Sequence, residues 1–397
     1  MTLTLLLDLD ETLLNTNQNV FFPAYIQALS ASFAPALEPE AVGRALMSST
    51  HAMFQSEDFS RTLREVFEDM FCPQVGLSRA ELDAHIQEFY SNTFPTLKNI
   101  TSQMPYAKEF VDWAQSQGFR LVVATDPILP LAANHHRIRW AGLEPGQFEL
   151  VSAFDDFHFT KTHVAYYAEV LGRIGWMDGP VLMVGNDMER DILPAGKLGL
   201  ASFFVEAESG STSGPEAGAR GSLLDLRRYL ESVDQASLIP SFKTREAIMA
   251  IHASTPAVMD GLLRHLPADD WKRKTSADEW TLTELICHLR DTEREINQMQ
   301  LKLFNNGKDV PFIPRPDTGV WASQRNYLYE DGLSSLREFI ALRRETIDLL
   351  KAVPASDWER KARHAIFGPT NFMEVAGFIA DHDRMHVQQT YSLLKKL

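Results

Sequence analysis

The chain begins with the apolar run Leu3-Thr4-Leu5-Leu6-Leu7, which is followed at once by Asp8-Leu9-Asp10-Glu11-Thr12. The apolar run predicts a short buried β-strand, so the acidic residues lie where that strand ends. In an open parallel sheet, ligands bind beyond the carboxyl ends of the strands. Two aspartates two positions apart can share a divalent cation while one of them remains free to attack a substrate. The opening stretch therefore predicts an α/β sheet with a carboxylate site at its edge.

Length and composition indicate a protein with more than one core. The chain has 397 residues, of which 45% are hydrophobic and 23% charged, and these values are typical of a globular protein with two or three domains. Its net charge of -15 argues against nucleic acid and anionic membranes as partners. Only two cysteines, no leader-like start and no long apolar segment together predict a cytoplasmic location.

The order of the predicted elements divides the chain into two domains. Strands and helices alternate through residues 1–15 and 97–236, which predicts a doubly wound, mostly parallel α/β sheet. Residues 16–96 interrupt this alternation with about four helices, and the Gly-rich and Ser-rich stretch Glu206–Gly221 is predicted to be a flexible loop. Residues 237–397 contain four long amphipathic segments, which predict an all-α four-helix bundle.

Further polar residues follow the later predicted strands. Thr125 comes directly after a strand and precedes Asp126, Lys161 opens a helix after the next strand, and Asp187 ends a third strand with Asp191 four residues later. Because the carboxyl ends of parallel strands meet at one edge, these side chains are expected to lie near Asp8 and Asp10.

The residue types in this set suit phosphoryl transfer. Lys161 and the Thr125 hydroxyl can hold the negatively charged phosphoryl oxygens. Asp8 and Asp187 are candidate Mg²⁺ ligands together with the Asp10 carbonyl, and Asp191 is expected to support Lys161 or the metal. Asp8 would be the nucleophile that forms an aspartyl-phosphate, and Asp10 would be the general acid and base.

This series resembles the motifs of the haloacid dehalogenase superfamily, in which aspartate-nucleophile phosphatases predominate. The resemblance implies a Rossmann-like core and a mobile helical cap formed by residues 16–96. It also implies a phosphatase rather than a dehalogenase, because dehalogenases of the family generally lack an aspartate at the position of Asp10. A phosphomutase shares the same catalytic pair and stays open as an alternative. Asp126 departs from the asparagine that is frequent at its position.

A second cluster of candidate residues lies in the predicted bundle. His382 and His386 are four residues apart, and so lie on one face of a helix, while His288 lies on another helix. Three imidazoles from two facing helices can bind a divalent transition metal and leave coordination positions open. Asp291, Glu293, Asp381, Asp383 and Gln389 are candidates for orienting the rings.

The residues Trp280, Glu284 and His288, with the stretch from His382 to Gln389, resemble the DinB-like family of four-helix metal-binding proteins. The resemblance implies a three-histidine site for Zn²⁺, Ni²⁺ or a similar divalent ion. Some members of that family are thiol transferases, so a thiol-dependent transferase is an alternative function. A third alternative is a non-enzymatic sensing module, with the bundle available for homodimer formation.

The sequence therefore predicts a capped Mg²⁺-dependent phosphatase that acts on a small phosphorylated metabolite and carries an accessory metal-binding bundle. The identity of the substrate and of the metal in the bundle is left open, because histidine ligands suit several ions.

Overall fold

The computed structural model describes residues 2–206, 219–276, 279–305 and 310–397. The chain forms two compact units. The first consists of Met1–Tyr167 with Asp178–Ser241, and the second consists of Ala168–Met177 with Phe242–Leu397. In the described parts, no helix combines the length and the apolar character needed to cross a membrane.

The first unit is built around a six-stranded parallel sheet. The described strands of this unit, in chain order, are β1 (Thr4–Leu7), β2 (Leu14–Asn15), β3 (Ser102–Gln103), β4 (Arg120–Val123), β5 (Leu150–Val151), β6 (Val181–Gly185), β7 (Ala201–Val205) and β8 (Ala219–Gly221). The sheet has the order β5-β4-β1-β6-β7-β8, while β2 and β3 form a separate antiparallel pair.

Strand β1 lies near the middle of this sheet. Leu5 pairs with Leu121 of β4 on one side and with Leu182 of β6 on the other. All four β1 residues are buried, as expected for an apolar strand that is covered on both faces. Because the later strands extend to both sides of β1, the ligand crevice is expected at its carboxyl end. The prediction of a doubly wound α/β core is confirmed.

Nine α-helices lie within the described residues 2–206 and 219–241, and the helix Val164–Arg173 has its last six residues in the second unit. The insertion contains α1 (Gln18–Ser32), α2 (Pro39–Gln55), α3 (Leu63–Val75) and α4 (Arg79–Asn92), and the core helices are α5 (Ala107–Ser116), α6 (Leu131–Trp140), α7 (Val164–Arg173), α8 (Leu193–Leu198) and α9 (Leu223–Ser232). Reciprocal hydrogen bonds between Ser78 and Glu81 cap α4. The predicted helical cap is confirmed.

One predicted loop is partly a strand. Glu206–Gly221 was predicted to be a flexible loop, but Ala219–Gly221 pairs with β7 as β8, so the loop prediction is wrong for these three residues. A three-residue strand at a sheet edge carries too few side chains to show a hydrophobic period. Residues 207–218 lie outside the described residues.

The second unit is a four-helix bundle, as predicted. Its helices are α10 (Arg245–Leu263), α11 (Leu282–Thr292), α12 (Gln298–Lys302), α13 (Trp321–Gln324), α14 (Gly332–Lys351) and α15 (Phe372–Leu394). A π-helical turn at Glu293–Asn297 joins α11 to α12, and together they form one of the four long segments.

The structure adds a small sheet to the bundle that the sequence analysis missed. It is formed by β9 (Phe312–Ile313), β10 (Lys361–His364) and β11 (Gly368–Asn371), in the order β11-β10-β9. Gly368 has a φ of 74°, a conformation that favours glycine, at the turn of the hairpin between β10 and β11.

Candidate active site and candidate metal centre

Asp8 lies at the carboxyl end of β1, beside Lys161. The Asp8 N–H donates to the Val184 carbonyl at 2.9 Å, so the residue remains attached to the sheet. Lys161 Nζ donates to Asp8 Oδ1 at 2.7 Å, and both side chains are buried. The structure therefore brings the predicted nucleophile and the predicted phosphate-binding lysine into direct contact.

Asp191 is the second buried partner of Lys161. Its Oδ1 pairs with Lys161 Nζ, and its Oδ2 accepts the Asp187 N–H at 3.0 Å. Gly185, at the end of β6, leaves room for this carboxylate, because a Cβ there would lie 2.2 Å from Asp191 Oδ2. Any larger residue at Gly185 would displace Asp191 from Lys161.

These buried groups carry more negative charge than Lys161 balances. The pKa of Asp8 is raised to about 8, chiefly by burial; the Asp191 and Asp10 carboxylates act in the same direction and Lys161 acts against them. Burial also raises the pKa of Asp191. Burial works against the charged form of Lys161, but Asp191 and Asp8 raise its pKa overall. A hard divalent cation such as Mg²⁺ would favour the ionised carboxylates, so the donor chemistry fits the predicted ion.

Asp10 pairs with Arg137, a residue that the sequence analysis missed. Arg137 lies on α6, its side chain is 3% exposed, and its Nη2 contacts Asp10 Oδ1. Its Nη1 donates to Asn134 Oδ1 at 3.0 Å. No motif marks Arg137, and only its burial beside Asp10 reveals its place in the site.

Thr125 and Asp126 lie at the end of β4. The Thr125 carbonyl accepts hydrogen bonds from Ser152 Oγ at 2.7 Å and from Tyr166 Oη at 2.8 Å. Asp126 Oδ1 accepts the Lys161 backbone N–H at 3.1 Å, and its Oδ2 lies 3.4 Å from Arg190 Nη1. Burial raises the pKa of Asp126. Asp126 therefore makes an acceptor contact that an asparagine oxygen could also make, with a charge that Arg190 partly balances.

Asp187 lies at the more open edge of the same cleft. Its Oδ1 accepts the backbone N–H groups of Glu189 at 2.8 Å and Arg190 at 3.1 Å, so it caps the turn that follows β6. Its side chain is 46% exposed, and its Oδ2 lies 3.9 Å from Arg190 Nε.

The acidic residues predicted to bind Mg²⁺ line one cleft without forming a compact cluster. Among the described residues, no three of them have ligand oxygens that all lie within 4.8 Å of one another. The inner carboxylates are paired with Lys161 and Arg137 instead.

The cleft has a volume of about 470 Å³, which suits a small metabolite. All the predicted catalytic and Mg²⁺-binding residues line it, namely Asp8, Asp10, Thr125, Lys161, Asp187 and Asp191. One side of the remaining lining is apolar and is formed by Phe21, Phe22, Phe54, Ile128 and Leu129. The other lining residues are polar or charged, namely Glu11, Gln18, Asp126, Arg137, Asn186 and Arg190.

The three histidines predicted in the bundle converge on one point. His288 Nε2 and His386 Nε2 lie 3.3 and 3.1 Å from His382 Nε2. A tetrahedral ion bound at about 2.0–2.1 Å holds its ligand nitrogens roughly 3.3 Å apart, so this spacing fits a transition metal. In the described parts of the chain, these histidines are the one group of three or more His, Cys, Asp or Glu side chains whose ligand atoms all lie within 4.8 Å of one another.

The electrostatics of the histidines also suit metal binding. Burial lowers the pKa of His288 to about 4, and the neighbouring His386 acts in the same direction. Burial lowers the pKa values of His382 and His386 as well. The rings are therefore neutral at pH 7, which is the form that binds a metal.

Two neighbours orient His386. Its Nδ1 lies 3.0 Å from Gln389 Oε1, and the Trp280 ring stacks on it with an interplanar angle of 7°. The other ring-orienting candidates have different partners. Asp291 bonds with Arg325 and Tyr327, while Asp381 pairs with Arg384 at the surface.

A buried charge cluster links the helices that carry the histidines. The Arg343 guanidinium on α14 donates to Glu293 at 2.9 and 2.8 Å and to Asp383 Oδ1 at 3.0 Å. The side chains of all three residues are 0% exposed. Glu293 follows α11, which carries His288, and Asp383 lies beside His382 on α15. The cluster therefore fixes the helices against one another.

Comparison with known proteins finds a family match for each part of the chain. Residues 2–199 match the haloacid dehalogenase-like hydrolase family, and residues 252–390 match the DinB superfamily. Both resemblances predicted from the sequence are thus confirmed.

Among curated proteins, the uncharacterized protein YuaE of Bacillus subtilis strain 168 is 22% identical over an alignment of 148 positions, which covers 34% of this chain and 90% of YuaE. A HAD phosphatase from Thermococcus onnurineus is 18% identical, with a TM-score of 0.40 over 58% of this chain and 98% of its own. YfiT from Bacillus subtilis is 16% identical, with a TM-score of 0.35 over 42% of this chain and 90% of its own.

Proposed function

We propose that the first unit is a Mg²⁺-dependent phosphatase that hydrolyses a small phosphorylated metabolite through an aspartyl-phosphate. The observation that carries this proposal is the placement of Lys161 between the buried carboxylates of Asp8 and Asp191, in a cleft that Asp10 also lines. The match to the haloacid dehalogenase-like hydrolase family supports a hydrolase, and the residues that line the cleft are of the types that the reaction requires.

In the first step, an Asp8 carboxylate oxygen attacks the phosphorus and the bond to the leaving oxygen breaks. Asp10 donates a proton to that oxygen, so the product leaves as a neutral alcohol. Lys161 and the Thr125 hydroxyl hold the phosphoryl oxygens. Mg²⁺, held by Asp8, Asp187 and the Asp10 carbonyl with Asp191 nearby, would supply further positive charge against the phosphoryl group.

In the second step, Asp10 accepts a proton from water. The water oxygen attacks the phosphorus, the bond to Asp8 breaks, and inorganic phosphate is released. Arg137 holds the Asp10 carboxylate from the side of α6, so the same group can act in both steps without leaving the cleft.

Hydrolysis of para-nitrophenyl phosphate tests the proposal. Activity should require Mg²⁺ and should be abolished in Asp8→Asn, because an amide cannot act as the nucleophile. Asp112→Asn, a matched change at an exposed residue paired with Lys108, should retain full activity. Full activity in Asp8→Asn would overturn the proposal.

Other substrates separate the alternatives. A phosphomutase would pass the phosphoryl group to a second hydroxyl of the substrate, so phosphate release would be small compared with isomer formation. A dehalogenase would release halide from 2-haloacids in the presence of a chelator. Phosphate release as the main reaction favours the phosphatase.

We also propose that the second unit binds a divalent transition metal such as Zn²⁺ or Ni²⁺ through His288, His382 and His386. The convergence of the three Nε2 atoms supports this site. Metal analysis should find about one ion per chain in the unaltered protein and none in the variant His382→Ala, His386→Ala. His265→Ala, at an exposed histidine, is the matched control. Unchanged metal content in the double variant would contradict the site.

The open face of such a metal could bind a thiolate, which keeps a thiol-dependent transferase as the second candidate function. Loss of thiol consumption in the same double variant would support it. Light scattering of the purified protein would test the predicted homodimer.

A further inference from the structure

The substrate cleft has an apolar wall opposite its carboxylates. Phe21 and Phe22 lie at the start of α1, Phe54 lies near the end of α2, and all three line the cleft. The His163 ring donates from Nε2 to the Phe54 carbonyl at 3.2 Å, so the end of α2 is held against the core. A leaving group that extends from the phosphate toward the cap meets this aromatic wall.

The basic residues of the cleft are too few to bind a second anionic group of the substrate. Six acidic and three basic side chains line the cleft. The acidic residues are Asp8, Asp10, Glu11, Asp126, Asp187 and Asp191, and the basic residues are Arg137, Lys161 and Arg190. Each base already has an acidic partner, with Lys161 beside Asp8 and Asp191, Arg137 beside Asp10 and Arg190 beside Asp126.

The two arginines are also packed against the aromatic wall. The Arg190 guanidinium carbon lies 5.3 Å from the centroid of the Phe54 ring, and that of Arg137 lies 5.7 Å from the Phe21 ring. Both distances fit cation–π contacts. A second phosphate or a carboxylate on the substrate would have to break these contacts or lie beside unbalanced carboxylates, and either arrangement is unfavourable.

We propose that the substrate is the phosphate monoester of an uncharged alcohol that carries a flat, apolar group about as large as one aromatic ring. Phe22 and Phe54 determine this specificity. The inference rests on the phosphatase function proposed above. The aromatic wall supplies apolar contact with the leaving group, while the balance of charges disfavours bisphosphates and phosphorylated acids.

Measurements of kcat/KM on three kinds of ester test the proposal. Benzyl phosphate represents the proposed class, ethyl phosphate is a small neutral ester with a leaving group of similar basicity, and 3-phosphoglycerate carries a second anionic group. The unaltered protein should prefer benzyl phosphate to each of the others by about tenfold or more. Phe54→Ala should lower kcat/KM for benzyl phosphate about tenfold and leave that for ethyl phosphate within about twofold.

Two further variants make the test specific. Phe54→Leu keeps an apolar wall and should retain most of the preference. Met47→Ala, on the same helix but 53% exposed and outside the cleft lining, should change neither value. If Phe54→Ala does not fold, the ester preference of the unaltered protein decides the question.

The outcomes separate this inference from the proposed function. Failure to hydrolyse any of the esters would overturn the phosphatase itself. Asp8-dependent hydrolysis that favours 3-phosphoglycerate, or a benzyl-to-ethyl ratio of kcat/KM values unchanged by Phe54→Ala, would overturn the substrate class and leave the phosphatase standing.

Discussion

Asp126 shows how a single residue can depart from a motif and keep its contact. Its Oδ1 accepts the Lys161 N–H at 3.1 Å, as an asparagine oxygen could, but the buried carboxylate adds a charge near Asp8 and Asp191. The sequence revealed the departure, and the structure shows that Arg190 partly balances it.

We expect Asp126→Asn to stabilise the protein at neutral pH and to retain phosphatase activity. Burial raises the folded-state pKa of Asp126 above its unfolded value, so the unaltered protein loses stability as the pH rises through that range, whereas the amide has no charge to bury. The gain in melting temperature of Asp126→Asn over the unaltered protein should therefore be smallest below the unfolded-state pKa of Asp126 and should grow as the pH rises above it. Asp126→Ala, which also removes the acceptor for Lys161, should lose activity. If the gain in melting temperature of Asp126→Asn became smaller as the pH rises, this explanation would be wrong.

The convergence of the motif residues on one cleft was predictable, because parallel strands bring their carboxyl ends to one edge of the sheet. Asp8, Thr125 and Asp187 each follow a strand, and they line one cleft. Arg137 and Arg190 could not be found in this way, because their roles depend on helix packing against the cleft and not on a position in a motif.

At the level of elements, the helices that carry the histidines are held by the cluster of Glu293, Arg343 and Asp383. Removing the central cation would leave two carboxylates buried without compensation, which typically costs about 3–5 kcal/mol. Arg343→Met should therefore lower the free energy of unfolding by roughly that amount, as measured by urea denaturation. Arg337→Met, at an exposed position on the same helix, should change it by about 0.5 kcal/mol or less.

A companion variant tests the reason for that loss. Adding Glu293→Gln and Asp383→Asn to Arg343→Met removes the uncompensated charges, so the triple variant should be more stable than Arg343→Met alone. If it is equally unstable, lost packing rather than buried charge explains the effect of Arg343→Met.

Long elements were predicted better than short ones. The four long segments of the bundle and the four helices of the insertion have enough turns to show their period, and the structure confirms them. β8, β9 and the β10–β11 hairpin contain two to four residues per strand, and tertiary pairing rather than local sequence determines them.

For the whole molecule, each candidate site takes all its residues from one compact unit. Sites without shared partners generally respond independently to mutation. We therefore expect the variant His382→Ala, His386→Ala to keep Mg²⁺-dependent phosphatase activity within about twofold of the unaltered protein.

The reciprocal measurement uses Asp8→Asn. Zn²⁺ at about a hundred times its dissociation constant should stabilise the unaltered protein by about 2.7 kcal/mol, and Asp8→Asn should show the same stabilisation. The histidine double variant should show none. A large drop in phosphatase activity in the histidine double variant would instead mean that the two sites are coupled.

The three converging imidazoles have a consequence for anyone who purifies this protein. Nitrogen ligands accept copper, nickel and zinc, and they hold copper most tightly of the divalent first-row ions, so supply largely decides which ion is bound. A batch eluted from nickel resin would carry nickel, while one grown in zinc-rich medium would carry zinc. On the proposed metal site, the ion found in a preparation would depend on how the protein was expressed and purified, and rates would be comparable only after the ion is removed and replaced with one defined ion.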